Sequence, residues 1–221
     1  MKMRLAALFA IAVLSACAGP RAPAWQTGAQ ASLERFRVHY LDGASARARR
    51  DFNEAMSQLG STGRLDLAAR AELLRCAVAT AALDFDACAG FAARQADATK
   101  EDRAYGQFVT GQWQQLDATR LPVRYRRVLE ARDEPAQNAA AAAIEDPLSR
   151  LVASGALFRM GRLSGDGLDT AIATASAQGF RRPLLALLTV QARRAESAGD
   201  AAAIESIRRR IDLLQGPVTA D

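Results

Sequence analysis

From Trp25 onward the apolar residues recur at intervals of three and four: Leu33, Phe36 and Tyr40 fall on one line, then Phe52, Met56 and Leu59 on another. Such spacing lays apolar side chains along one face of an α-helix, whereas a half-buried strand alternates with period two. No comparable period-two run occurs. Val and Ile are sparse, and Ala, Leu, Arg, Gln and Glu, the better helix formers, are abundant. The pattern predicts an all-α domain.

Punctuation divides the domain into helices of ordinary length. Gly60 to Gly63 separates the second helix from a third over about Leu65 to Ala81, and a fourth is expected from Phe85 to Ala96. Thr99 with Asp102 approximates a capping box, opening a helix that carries Tyr105, Phe108, Val109 and Gln112 on one face. Pro122 suits the first turn of another helix, and Asp133-Glu134-Pro135 and Asp146-Pro147 both read as helix starts. Ser164 to Gly167 reads as a loop, and Gly179 with Pro183 brackets another. Leu184, Leu188, Ala192 and Ala195 then form one stripe, Gly199-Asp200 a turn, and Ile204, Ile207, Ile211 and Leu214 the facing stripe.

Nine or ten helices joined by tight turns must neighbour their successors, which implies stacked antiparallel hairpins of the α-solenoid kind. Around Gly199 the chain resembles a degenerate tetratricopeptide unit. Leu188, Ala192 and Gly199 fall on pattern positions, while Ile204, Arg208 and Ile211 depart from them. Gly63, Gly165 and Gly199 are separated by multiples of 34, the period of that repeat, but Asp97 and Ala131 occupy the intervening steps.

The first sixteen residues have a different character. Lys2 and Arg4 precede an apolar run from Leu5 to Leu14, shorter than the roughly 20 residues a membrane-spanning helix needs, so residues 1–16 read as an export signal. The run ends in Leu14-Ser15-Ala16-Cys17, which resembles the lipobox of bacterial lipoproteins. That resemblance implies a signal cut before Cys17, lipidation of Cys17, and a soluble domain facing the periplasm. The alternative is an ordinary secretory signal cut after Ala16 or Ala18. In that family an Asp after the lipidated Cys retains the protein in the inner membrane; Ala18 stands here, which implies the outer membrane. Ala18 to Ala24, with two prolines and no periodicity, reads with Cys17 as a flexible tether (17–24), followed by a single domain over 25–215 and a tail over 216–221.

An exported chain meets an oxidising compartment, which makes Cys76 and Cys88 candidates for a disulfide, the alternative being two buried thiols. In one continuous helix they would lie about 18 Å apart, beyond the roughly 7 Å limit for a bridge. A turn near Ala82, with Asp84 capping a new helix, would bring them level on antiparallel helices. Two cysteines and one histidine do not make a zinc site, and no cofactor motif is present. The formal charge is +5, of which Lys2 and Arg4 supply two. The cations are almost all Arg and the apolar set is mostly Ala, as GC-rich coding favours, so the basic balance does not point to nucleic acid as a partner.

Candidate chemistry is thin. His39, the only histidine, reads as a packing or surface residue. Asp84 and Asp86, like Asp166 and Asp169, sit at expected helix starts, where acids favour the positive end of the helix dipole. Glu196-Ser197 and Glu205-Ser206 match a dipeptide found in some peptidoglycan-cleaving enzymes, but the rest of that pattern is absent. Five arginine clusters, around Arg47, Arg124, Arg181, Arg193 and Arg208, read as solvated helix faces unless several converge, when they would suit lipid phosphates or an acidic protein patch. The expected function is therefore a non-catalytic, lipid-anchored scaffold or adaptor for another envelope protein. Its architecture looks like that of helical-repeat lipoproteins that serve outer-membrane protein insertion, pilus assembly or peptidoglycan synthases. The alternative is a small-ligand or glycan-binding protein, or an envelope enzyme of unrecognised chemistry. A deep pocket of convergent polar groups would favour the alternative, and a shallow groove lined by Tyr, Trp or Arg would favour a protein partner.

Overall fold

The computed structural model describes residues 22–216, and among them no strand occurs. Eleven helices follow in order: α1 Ala24–Asp42, α2 Ser45–Gly60, α3 Leu65–Ala81, α4 Ala89–Ala92, α5 Lys100–Val109 and α6 Val123–Glu130. They continue with α7 Glu134–Ala142, α8 Pro147–Arg159, α9 Gly165–Ala177, α10 Arg181–Ala198 and α11 Ala201–Gln215. The expected all-α fold of about ten helices is what forms. Cys17 and the leader lie outside the described residues.

Helix starts follow the expected chemistry. Thr99, Asp133, Asp146, Ser164 and Asp200 each accept a hydrogen bond from the backbone N–H three residues on, at 2.8–3.0 Å. Each cap contributes about 1 kcal/mol by satisfying a donor the helix cannot. Gly43 and Gly199 end α1 and α10 in the left-handed conformation, and their N–H groups return to Tyr40 and Glu196.

The centre of the fold is the crossing of α3 and α8. Cys76 to Ala81 and Leu151 to Leu157 are buried without exception, so these two segments are enclosed on all sides. At the crossing, a methyl group added to Gly155 would overlap the carbonyl oxygen of Thr80. Around this pair, α1 and α2 pack against α3; α6, α7 and α9 pack against α8; and α5 touches both. The hairpins α1–α2 and α10–α11 are antiparallel neighbours as expected. The stack nevertheless curls back on itself, because α3 meets α8 and α10 meets α1. In a one-dimensional solenoid each repeat touches only its neighbours. Gly63 and Gly199 occupy left-handed turns, whereas Gly165 opens α9, so the 34-residue spacing does not mark equivalent joints.

Four local expectations are corrected. The helix expected over Phe85–Ala96 is broken into a 3₁₀ turn at Asp86–Cys88, the single turn of α4, and a second 3₁₀ turn at Gln95–Asp97. The cause is tertiary. Leu83 adopts a left-handed φ of 57°, Asp84 accepts a 2.7 Å hydrogen bond from the Tyr40 hydroxyl instead of capping a helix, and Gly90 lies against the ends of the paired Glu72 and Arg75 side chains. Ser164 to Gly167, expected as a loop, is the cap and first turn of α9, and the Gly179–Pro183 loop closes by Arg181, with Pro183 inside α10. Cys76 and Cys88 are bridged, with Cα atoms 4.4 Å apart, but Cys88 lies in the 3₁₀ turn and not on an antiparallel helix.

Two outcomes test this packing. Gly155→Ala, which drives a methyl into backbone, lowers the unfolding free energy by roughly 1–3 kcal/mol in a urea titration; Gly165→Ala, with open space around it, gives no comparable loss. Denatured without reductant, the protein leaves Cys76 and Cys88 unreactive to a thiol reagent, and reduction of the bridge costs about 3 kcal/mol on the chain-entropy model; labelling of both before reduction contradicts the bridge.

Candidate interaction groove

A concavity of about 910 Å³ runs between α1 and the first half of α3. Its existence follows from how α3 is covered. The C-terminal half of α3 is enclosed, but Leu67 and Leu74 in its first ten residues are only half-buried and Arg70 is exposed. On α1, Trp25, Ala29 and Leu33 stand four residues apart on one row and face this space. Leu59, near the end of α2, adds to the apolar lining between them. Leu65, the first residue of α3, is 61% exposed in the same turn.

The charged residues of the groove are Glu34 and Arg37 on α1, with Arg64 and Arg70 on the α3 side. Every one of these arginines holds a carboxylate of the same chain. Arg37 reaches back one turn to Glu34, with Nε 3.0 Å from the carboxylate. Arg64 grips Asp66 through two hydrogen bonds of 2.8 and 2.7 Å, and Arg70 reaches Asp102 at 3.0 Å. The Arg37 hydrogen bond holds the Glu34 carboxyl below its ordinary range, and the Arg64 guanidinium pushes Asp66 down to about 2. The charged edge is thus internally neutralised around an apolar centre. It is a shallow groove with Trp and Arg at its margin, the geometry named above as favouring a protein partner.

The residues nominated from sequence are dispersed and do not meet at this groove. His39 is half-buried, its Nδ1 2.6 Å from Asp51 on α2. Asp84 is taken by Tyr40, and Asp169 accepts from Gln191 at 2.9 Å. Asp166 lies in the first turn of α9, and Asp86 lines a separate cleft of about 320 Å³ beside the disulfide. Glu196 and Glu205 stand near Arg208 and Arg209, at 3.7 and 3.6 Å. Several clustered arginines are tied to the protein itself: Arg124 donates to Ser149, Arg126 to the carbonyls of Leu121 and Thr119, and Arg194 to those of Leu163 and Ser164. Among the described residues no three His, Cys, Asp or Glu side chains gather as metal ligands.

Trp25 and Ala29 precede Leu33 at steps of four, a signal present in the sequence that the reading of Leu33, Phe36 and Tyr40 as one line passes over. Which line stays uncovered depends on α3, and that is a tertiary fact. In comparisons with known proteins, no family model, curated protein or solved structure matches the chain.

The Asp66 carboxyl has its pKa depressed in the fold, so its ion pair supports stability at neutral pH and is lost as pH falls from the ordinary value of 3.8 through about 2. A carbon-detected NMR titration should place its midpoint near 2 in the native protein and return it toward 3.8 in Arg64→Ala.

Proposed function

We propose that the chain is a lipid-anchored lipoprotein of the bacterial envelope that acts as a non-catalytic adaptor, docking an amphipathic helix of another envelope protein in the α1–α3 groove. The observation that carries this reading is the groove's composition, an apolar floor inside a rim whose arginines are already paired. A small anionic ligand would need free cations there. A helix needs only an apolar trough to receive its i, i+3, i+4 anchors, with charged neighbours to exchange contacts along its flanks.

The Leu14-Ser15-Ala16-Cys17 motif supplies the other half of the proposal. From Cys17 the six residues Ala18–Pro23 lead to α1 and span at most about 21 Å. The Trp25 end of the groove is thereby held close to the bilayer that anchors the chain, where a partner at the membrane surface is met at high effective concentration. Several acyl chains hold such a protein stably where one would not.

A photo-crosslinking residue in place of Leu67 or Leu33 should capture one reproducible envelope protein in intact cells, and the same probe at Leu213, which is 83% exposed on α11, should not. Leu67→Glu should cut that adduct by tenfold or more with an unchanged unfolding midpoint. Equal capture from both faces, or none from the groove, refutes the docking site. Cys17→Ala should abolish lipidation and release the protein from membranes; a variant still found with membranes refutes the anchor.

A further inference from the structure

Arg182 stands more than 130 positions from the run Arg47-Arg49-Arg50, and the fold brings it to the start of the helix that carries those three, while its neighbour Arg181 turns away to donate to the carbonyls of Leu214 and Gln215 at 2.7 and 3.1 Å. Arg182 lies across the joint between α1 and α2. Its Nε donates to the Tyr40 carbonyl at 2.7 Å, its Nη2 to Ser45 Oγ at 2.6 Å, and its guanidinium sits 4.3 Å from the centre of the Tyr40 ring. Ser45 opens α2, so Arg47, Arg49 and Arg50 follow within two turns, all three exposed.

Sequence offers these arginines partners one turn on, Asp51 for Arg47 and Glu54 for Arg50. The fold commits both elsewhere. Asp51 takes His39 at 2.6 Å and Arg35 at 3.2 Å from α1, and Glu54 takes the Gln58 amide at 2.7 Å. Among the described residues Arg47, Arg49 and Arg50 hold no carboxylate within 4.0 Å, unlike the three arginines of the groove. Asp42, at the end of α1, is the remaining acid nearest along the chain, and it is exposed. The placement also works against the helix: no acid occupies the first turn of α2, and positive charge beside the positive end of a helix dipole destabilises it. α10 likewise begins with Arg181 and Arg182 and carries no acid in its first turn. A local rule broken in two adjoining elements, with no compensating contact for three of the five cations, marks a surface kept for a ligand outside the chain.

We propose that this corner binds the phosphates of anionic phospholipid head groups. The three free arginines lie on the exposed side of a helix, with Arg182 at its start, so a surface presenting many phosphates at once fits better than a single small anion. The corner lies at the opposite end of α1 from Trp25, about 27 Å along the helix axis. Lipid contact there would lay α1 along a bilayer.

Vesicle sedimentation tests this with the chain from residue 22 onward, which holds every described helix and its own core and needs no lipid anchor. It should sediment with vesicles one-third phosphatidylglycerol, not with pure phosphatidylcholine, and should be released by molar salt. Arg47→Glu, Arg49→Glu and Arg50→Glu together should weaken binding about a hundredfold, since each arginine near an anionic surface contributes about fivefold. Acids at this helix start favour the helix, so the variant keeps its unfolding midpoint and the loss is not one of folding. Absent binding to anionic vesicles, or undiminished binding by the triple variant, overturns the proposal. Binding to polyglutamate-coated beads with vesicles ignored overturns it in favour of an acidic protein partner.

Discussion

Two helices approach closely only where one of them lacks a side chain, and the rest of this domain is arranged around such a place. At Gly155 the backbone of α8 lies against the Thr80 carbonyl of α3. The neighbouring positions are small as well: Ala77 and Ala81 on α3, Ala153 and Ala156 on α8, each buried. A glycine inside a helix costs about 1 kcal/mol relative to alanine. Here the cost is offset by dispersion contacts along the crossing, which larger side chains would hold apart. Leu151 and Leu157, on either side of Gly155, are then sealed on all sides.

The groove is a by-product of that crossing. α8 is shorter than α3 and covers its C-terminal half, where burial is complete. The other half is flanked by α1 and α2 and otherwise open, and there the chain places leucines and internally paired arginines. Leaving the apolar row in water is itself unfavourable. Trp25, Leu33, Leu67 and Leu74 pack against the core between α1, α2 and α3 and leave the rest of their surface lining one open space together, which is why the groove and not the smaller clefts carries the functional reading.

Much of the fold was legible because its signals are local. The helix starts at Thr99, Asp133 and Asp146, the break at Gly63 and the turn at Gly199-Asp200 depend on a few adjacent residues, and they hold. The segment from Leu83 to Asp97 was misread because its conformation is set from outside: by Tyr40, 44 positions away, taking the Asp84 carboxylate; by Cys76 holding Cys88; and by the Glu72–Arg75 pair pressing on Gly90. Helix propensity favoured a continuous helix there, and tertiary contacts outweighed it. The disulfide was anticipated from compartment and spacing even though the path between its ends was not. The candidate sites were less legible. The groove requires knowing which face of α3 stays bare. The arginine corner requires knowing that Asp51 and Glu54 turn away from the residues one turn before them.

The bond from Arg182 to Tyr40 spans 142 positions and joins the tenth helix to the first. A chain delivered from its amino end presents α1 and α2 long before α10 exists to cover the joint between them. During that interval Tyr40 and the end of the first hairpin stand without their last neighbour, and the hairpin keeps an unfinished edge. Completion of the domain is therefore tied to arrival of its penultimate helix. A chain that stops before Arg181 would leave nine helices formed in outline and the ring of contacts unclosed, a state that a quality-control protease could distinguish by that one missing edge.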